Sequence, residues 1–245
     1  MAVGLVAAGN RAYNHGSTGT GNAGGASGAG TVQWATGSHT INTNGAIPAG
    51  AQVYVVNFWY ATPQSITGCS GGGLTWTLVQ RNGANFALTV HYADAPSGLS
   101  SNTAITVTHA NGGGGGMFCC YSTDLATGTV AASNASGPAT NYTVGSLTTS
   151  ASNGMTCLFG GSLVDGTTPR NTPTNGSTET LDFGDPGGPV LMWAQWQARA
   201  SAGTYSETGT LSAGGSFNEQ IGLAINGAGG GGGVTAKQLA ALGVG

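Results

Sequence analysis

Hydrophobic and polar residues alternate in short runs over most of the chain. In FALTVHYA (86–93), large apolar residues occupy every second position, whereas AQVYVVNFWYA (51–61) is almost continuously apolar and rich in β-branched and aromatic residues. The first pattern indicates a two-faced strand and the second a central strand. Similar segments without a helical period recur at short spacing, at 51–61, 74–80, 86–93, 103–109, 116–125, 141–149, 154–164, 178–183, 190–200, 204–211 and 216–225.

Segments rich in glycine, serine and asparagine separate these strands. The segment RNGAN (81–85) contains an Asn-Gly pair, which supplies the positive φ angles of a tight hairpin. Many short strands joined by such turns are typical of a sandwich or a barrel. We therefore predict an all-β fold, a single antiparallel β-sandwich of about 10 strands and of jelly-roll type.

The predicted sandwich occupies residues 31–227 and lies between two glycine-rich ends. Residues 1–30 lack periodicity, which predicts a flexible N-terminal arm or an arm laid over a neighbour. Residues 228–245 comprise a glycine linker and a short apolar tail, long enough for about two helical turns. We interpret this tail as a docking segment, and a frayed end is the alternative.

Charged side chains are scarce. The 245 residues include five Lys or Arg and eight Asp or Glu, which is 5% of the chain, against about a quarter in ordinary soluble domains. Five cations cannot neutralise a run of phosphates, so we expect no nucleic-acid partner. No apolar stretch is long enough to span a membrane. Strands faced with threonine, serine and asparagine suit a protein whose surface is covered by neighbours in an assembly.

The N-terminal sequence MAVGLVAAGNRAYNH lacks the basic region and the sustained apolar region of a secretory signal. We therefore expect that, if the chain functions outside a cell, it is released by lysis as part of a particle.

Four aromatic residues are candidates for contacts with partners. Trp193 and Trp196 are an odd number of positions apart, so a regular strand points them to opposite faces, and Trp59 and Tyr60 are divided in the same way. We expect one side chain of each pair to face outward, where it could anchor a subunit interface or stack on a sugar ring. The scarcity of charge favours the interface.

The four cysteines are Cys69, Cys119, Cys120 and Cys157, an even number that permits two disulfides. Cys119 and Cys120 are adjacent and point to opposite faces of a strand. Cys120 and Cys157 lie in apolar segments, which favours buried free thiols, with a disulfide between strands or subunits as the alternative. The sequence contains no C-x-x-C pair with a nearby histidine, the arrangement that would predict a metal site. We also expect no cofactor.

The sequence contains no convincing catalytic motif. It has no G-x-S-x-G, no P-loop and no dinucleotide fingerprint, and its acidic residues are too scattered to predict a catalytic carboxylate pair. His91 and His109 are expected to face outward without a third partner for zinc or proton transfer. The protein is therefore predicted not to be an enzyme.

The segment GLTWTLVQRNGANFALTVHYADAPSG (73–98) resembles a β-sandwich module of bacteriophage structural proteins and related bacterial surface proteins. In that module a G-x-T-W-T strand is followed by a hairpin, a strand ending in Y-A and a Pro/Gly loop. TAITVTHA (103–110) is similar to the next strand of the module, and residues 193–227 resemble its closing strands. The similarity spans about residues 31–227 in matching order.

The resemblance implies a non-enzymatic virion protein, such as a capsid decoration or cementing subunit or a head fibre, and transfers no catalytic residue. The expected location is the virion. The expected partners are further copies of the chain, with a trimer as the first expectation, and the major capsid protein or other virion proteins. One alternative is a carbohydrate-binding adhesin module of a tail fibre that binds a host surface glycan. The other is a subunit of an extracellular filament.

Overall fold

The computed structural model describes residues 6–10, 38–43, 45–60, 66–82, 86–109, 114–123, 125–136, 140–150, 153–163, 171–174, 179–184, 190–211 and 217–227. Every regular element in these ranges is a β-strand, and every pair of neighbouring strands is antiparallel. The predicted all-β, antiparallel sandwich class is therefore confirmed.

The described residues form sixteen strands. The first eight are β1 (Val6–Asn10), β2 (Ser38–Asn42), β3 (Ala51–Tyr60), β4 (Ile66–Gly71), β5 (Thr77–Asn82), β6 (Phe86–Ala95), β7 (Ala104–His109) and β8 (Gly114–Ser122). The second eight are β9 (Leu125–Ser136), β10 (Asn141–Thr149), β11 (Gly154–Leu163), β12 (Asn171–Pro173), β13 (Glu179–Gly184), β14 (Val190–Arg199), β15 (Gly203–Leu211) and β16 (Phe217–Gly227).

The second eight strands repeat the topology of the first eight. Strands β1 to β8 form a five-stranded sheet of order β1-β8-β3-β6-β5, the first inner sheet, and a three-stranded sheet of order β2-β7-β4, the first outer sheet. Strands β9 to β16 form the second inner sheet, of order β13-β14-β11-β16-β9, and the second outer sheet, of order β10-β15-β12. When β9 is counted as the first strand of the second set, each strand of that set has the same neighbours as its counterpart in the first set. Each set is an eight-stranded jelly roll, here called the first and the second jelly roll.

The register of the central strands is repeated as well. In the first inner sheet, β3 pairs with β6 over ten residues, and β11 pairs with β14 over ten residues in the second. The residues before β3 and β11 are Gly50, with φ 75°, and Asn153, with φ 58°. Both positions therefore have the left-handed backbone that glycine and asparagine tolerate best. The two halves share strand order, register and this turn geometry.

The four sheets stack in the order first outer, first inner, second inner, second outer. Between the two inner sheets lies a core that includes Tyr54, Phe58 and Phe118 from the first jelly roll and Phe159 and Trp196 from the second. Separate cores lie between each inner sheet and its outer sheet. Because both faces of an inner sheet are covered, its strands are apolar on both faces, which accounts for the nearly continuous apolar run at 51–60.

Each of the eleven segments predicted as strands contains a strand, although in the segment 74–80 the strand begins only at Thr77. The prediction of one sandwich of about 10 strands underestimates the fold. The additional strands are β1, β2, β4, β9 and β12. They are short or consist mainly of Gly, Ala, Ser and Thr, so that their sequences carry little apolar alternation. The chain forms two stacked jelly rolls where one sandwich was predicted.

Part of the predicted N-terminal arm belongs to the first jelly roll. β1 lies within residues 1–30 and pairs with β8, with Val6 opposite Tyr121 and Asn10 opposite Phe118. The boundary at residue 31 is therefore wrong for this segment. The other arm residues and the predicted docking tail, 228–245, lie outside the described residues.

Candidate functional site

The two tryptophans of β14 are buried within the chain. Trp193 is 0% exposed and packs towards the second outer sheet, where its ring centroid is 5.6 Å from that of Tyr142. Trp196 is 7% exposed and lies in the core between the inner sheets. The two side chains occupy opposite faces as predicted, but the expectation that one faces outward is wrong, because each face of this sheet is covered by another sheet.

Trp59 and Tyr60 form the end of β3. Their side chains lie outside the described residues, so their role in an interface or in glycan stacking stays a prediction.

The four cysteines are free thiols. Cys119 is buried in the core of the first jelly roll, and Cys69 is half-buried against the same core. Cys120 and Cys157 are buried in the core between the inner sheets, as the interpretation as buried free thiols expects, and a disulfide between them stays the alternative that experiment decides. Burial raises the pKa of the Cys69 thiol to about 12 and raises those of the other three thiols as well. A thiol with so high a pKa forms little of the reactive thiolate near neutral pH.

We predict that these thiols resist alkylation in the folded protein. With iodoacetamide at pH 8, Cys69 is expected to be modified first and slowly, and Cys119, Cys120 and Cys157 only after unfolding in guanidinium chloride. Peptide mass spectrometry after timed quenching measures the order, and the reaction at Cys69 should become faster as the pH rises towards its pKa. A Cys120–Cys157 disulfide in the purified native protein would contradict this prediction.

Two histidines and a glutamate, which are titratable side chains, are also buried. His91 is 3% exposed, and desolvation lowers its pKa to about 4, so the ring is neutral at pH 7. His109 is also buried. The expectation that both histidines face outward is therefore wrong, because they lie on the inward faces of β6 and β7. Glu219 on β16 is buried as well, and desolvation raises its pKa to about 7.

A groove of about 500 Å³ opens at the surface of the first jelly roll. Its two walls are the turns at residues 72–75 and 96–98, and between them lie residues of β5 and β6. Tyr92 and Asp94, two positions apart on β6, share one face of that strand, and Thr77 is the cross-strand neighbour of Tyr92. The groove therefore combines an aromatic ring, a carboxylate and several hydroxyl groups.

Hydrogen bonds and glycine geometry fix the two walls. Gly71, Gly72 and Gly73 have φ angles of 119°, 66° and 67°, a conformation that side-chain-bearing residues rarely adopt. The Trp76 Nε1–H donates to the Gly71 carbonyl at 3.0 Å and holds this turn against β5. In the opposite wall, Gly98 has φ 71°, and a Cβ atom there would lie 2.9 Å from the Ala49 backbone nitrogen. The groove is therefore largely pre-formed.

The carboxylate of Asp94 is oriented from within the first inner sheet. Gln52, its cross-strand neighbour, donates from Nε2 to Asp94 Oδ1 at 3.3 Å. The buried Tyr54 hydroxyl donates to Gln52 Oε1 at 2.9 Å and thereby sets the orientation of the amide. The chain of three side chains places an acceptor in the groove at a defined position.

A buried polar network ties the second inner sheet to the second outer sheet. Glu207 on β15 is 0% exposed and accepts hydrogen bonds from Thr156 Oγ1 at 2.6 Å, Gln195 Nε2 at 2.9 Å and Arg199 at 3.1 Å. Arg199 also donates to Thr156 Oγ1 at 2.8 Å and covers the Tyr205 ring at 4.2 Å from its centroid. Both carboxylate oxygens are occupied by donors, which suits a structural role better than that of a catalytic base.

The described residues of the first jelly roll contain no equivalent network. By the shared register, the positions of Thr156, Gln195 and Arg199 correspond to Val53, His91 and Ala95. The network was not predicted from the sequence, although Glu207 shares the alternating buried face of β15 with Leu211. A charged residue in register with buried apolar residues is the signal that would have found it.

The described residues contain no group of three His, Cys, Asp or Glu that could hold a metal ion. They also contain no helix long and apolar enough to cross a membrane. Comparisons with protein-family models, with curated proteins and with solved structures find no match to this chain.

Proposed function

We propose that the protein is a non-enzymatic structural subunit of a virion, of the capsid decoration, cementing or head-fibre type. The observation that carries this proposal is the chemistry of the two outer sheets. Their six strands contain only one charged residue, Glu207, and it is buried. Both ends of the four-sheet stack are therefore covered by sheets without exposed charge.

In the outer sheets, cross-strand pairs of threonine residues occupy positions where charged pairs are usual on a solvent-facing sheet. In the first outer sheet the hydroxyls of Thr40 and Thr106 are 2.8 Å apart, and in the second those of Thr148 and Thr204 are 2.9 Å apart. Such a surface provides hydrogen-bonding groups at little desolvation cost and no electrostatic repulsion between copies. It suits contact with further copies of the chain and with capsid proteins.

Fold analogy points in the same direction, since eight-stranded jelly rolls occur in viral capsid and lectin domains. In the proposed particle a trimer is the first expectation for the oligomer. The residues of the predicted N-terminal arm (1–30) outside β1 and the tail 228–245 stay predicted contacts with neighbouring subunits.

The decisive experiment is quantitative mass spectrometry of purified virus particles. We expect the protein to be present at a fixed copy number relative to the major capsid protein, and native mass spectrometry of the isolated protein should give a closed oligomer. A chain absent from the particles would refute the proposal, and open-ended polymers of the isolated chain would favour the filament alternative.

A matched pair of variants tests the surface that carries the proposal. Thr40→Glu and Thr148→Glu place a charge on the exposed face of each outer sheet, and together they are expected to lower the copy number per particle at least tenfold. Thr40→Ser and Thr148→Ser keep the hydroxyl groups and should incorporate normally. Full incorporation of both Glu variants would show that these sheets are not the contact surfaces.

A further inference from the structure

We propose that the groove between residues 72–75 and 96–98 is a binding site for a neutral saccharide, with Tyr92 as the stacking ring and Asp94 as the acceptor for sugar hydroxyls. This binding activity is separate from the proposed role in a virion, and either can hold without the other.

The size and preorganisation of the groove fit a small ligand. Its volume of about 500 Å³ lies within the range of clefts that bind small molecules, about 300–1,000 Å³. The Trp76–Gly71 hydrogen bond and the positive φ angles of the glycines hold the walls without a ligand. A rigid site loses little conformational entropy on binding, which matters for a weakly interacting, strongly hydrated ligand such as a sugar.

The lining groups have the two kinds of chemistry that a sugar requires. The ring of Tyr92 is half-buried at the edge of the core between the inner sheets, with part of its surface in the groove. An aromatic face is a suitable surface for the apolar C–H face of a pyranose. The carboxylate of Asp94 can accept from two neighbouring hydroxyls, and such hydrogen bonds to a charged group are stronger than neutral ones. Thr75, Thr77 and Ser97 provide additional hydroxyl groups at the groove.

The charge of the groove selects the class of sugar. Among the described residues that line the groove, Asp94 is the only charged one, and none is a Lys or Arg. A sialylated, sulfated or phosphorylated glycan would place a second negative charge near this carboxylate without a compensating cation, which costs free energy. The groove therefore favours a neutral glycan.

A metal ion is a poorer occupant of this groove. Ca²⁺ binds six to eight oxygen ligands, whereas the groove provides one carboxylate, which is already hydrogen-bonded to Gln52. A saccharide uses the ring and the carboxylate together.

The test begins with the purified full-length chain on an array that carries neutral oligosaccharides together with matched sialylated, sulfated and phosphorylated glycans. We expect binding to a subset of the neutral glycans and none to their acidic counterparts. Isothermal titration calorimetry with the best neutral oligosaccharide then gives the dissociation constant of each variant.

Three variants examine the groove, and one serves as a control. Tyr92→Ala and Asp94→Asn are each expected to weaken binding about tenfold or more, the equivalent of one stacking contact or one charged hydrogen bond. Ser97→Trp fills the groove from an exposed turn and keeps the test valid if the β6 variants fold poorly. Tyr205→Ala removes a tyrosine ring from the second jelly roll, outside the groove, and should bind like the unaltered chain.

Three results would overturn the proposal: no binding to any neutral glycan, stronger binding to acidic glycans, or binding that Tyr92→Ala, Asp94→Asn and Ser97→Trp all leave unchanged. Because the array uses the isolated chain, its failure would not affect the particle measurement. Absence from virus particles would likewise leave a positive array result in place.

Discussion

Replacement of Gly161 by alanine is expected to lower the free energy of unfolding by about 2 kcal/mol, the cost of overpacking a tight core. Gly161 lies on β11 and faces the first jelly roll, where a Cβ atom would be 2.5 Å from Cγ and 2.9 Å from Cβ of Phe58. The Phe58 Cβ cannot move without its backbone, and Phe58 is itself 0% exposed between the inner sheets. The added methyl group would therefore force the two jelly rolls apart. Denaturation in guanidinium chloride measures the loss.

Gly68→Ala provides the matched control. Gly68 is also inside a strand, β4, but a Cβ atom there has no other atom within 4 Å, so this variant should be as stable as the unaltered chain or slightly more stable. A double-mutant cycle with Phe58→Ala identifies the contact, because Gly161→Ala should cost much less when the ring is absent. Equal costs in both backgrounds would contradict the proposed clash.

Replacement of Arg199 by methionine is expected to destabilise the protein by about 3 kcal/mol, the order observed when one partner of a buried ion pair is removed. The side chain of Arg199 is 11% exposed and that of Glu207 is 0% exposed. Methionine keeps much of the side-chain volume but leaves the Glu207 charge without a counter-ion in the interior. The remaining donors, Thr156 and Gln195, are neutral. Urea denaturation at neutral pH measures the difference.

Two further variants separate the loss of the ion pair from the loss of an arginine. Arg81→Met removes an exposed arginine from β5, and its effect should stay within about 0.5 kcal/mol. Adding Glu207→Leu to Arg199→Met should recover part of the lost stability, since the unpaired buried charge is then absent. A double variant no more stable than Arg199→Met would show that the network acts through packing or through its other hydrogen bonds.

Alternation of apolar and polar residues predicted the strands well, because it records which face of a strand is buried. It could not predict the number of sheets. In β14 the alternation places Trp193 and Trp196 on opposite faces, but it does not reveal that both faces are covered. Both faces are covered because the second inner sheet packs against two other sheets. No local sequence pattern contains that information.

The repetition of the jelly roll was equally hidden from the sequence. The two halves share register but not side chains: Asn57 of β3 corresponds to Gly160 of β11, and Thr89 of β6 corresponds to Trp193 of β14. The ring of Trp193 occupies the space over Gly160, where a Cβ atom would lie 2.6 Å from Cη2. Such exchanges of large and small residues preserve the packing while removing sequence similarity.

The candidate groove was missed for a different reason. Its walls are the turns at 72–75 and 96–98, which the sequence pattern identifies only as breaks between strands. Tyr92 and Asp94 come together with these turns through the pairing of β5 with β6. The aromatic residues singled out in the sequence lie on β3 and β14, whereas the accessible ring in the groove is that of Tyr92 on β6.

The link between the two jelly rolls has a consequence for how they associate. β8 ends at Ser122 and β9 begins at Leu125, so each half carries its partner at a high effective concentration. Two separate jelly rolls joined by the same contact would dissociate on dilution, whereas here the contact between the inner sheets is intramolecular and independent of protein concentration. Within one chain, moreover, the two halves are free to differ. The second half has a polar network at positions where the first has Val53, His91 and Ala95, a difference that a dimer of identical subunits could not have.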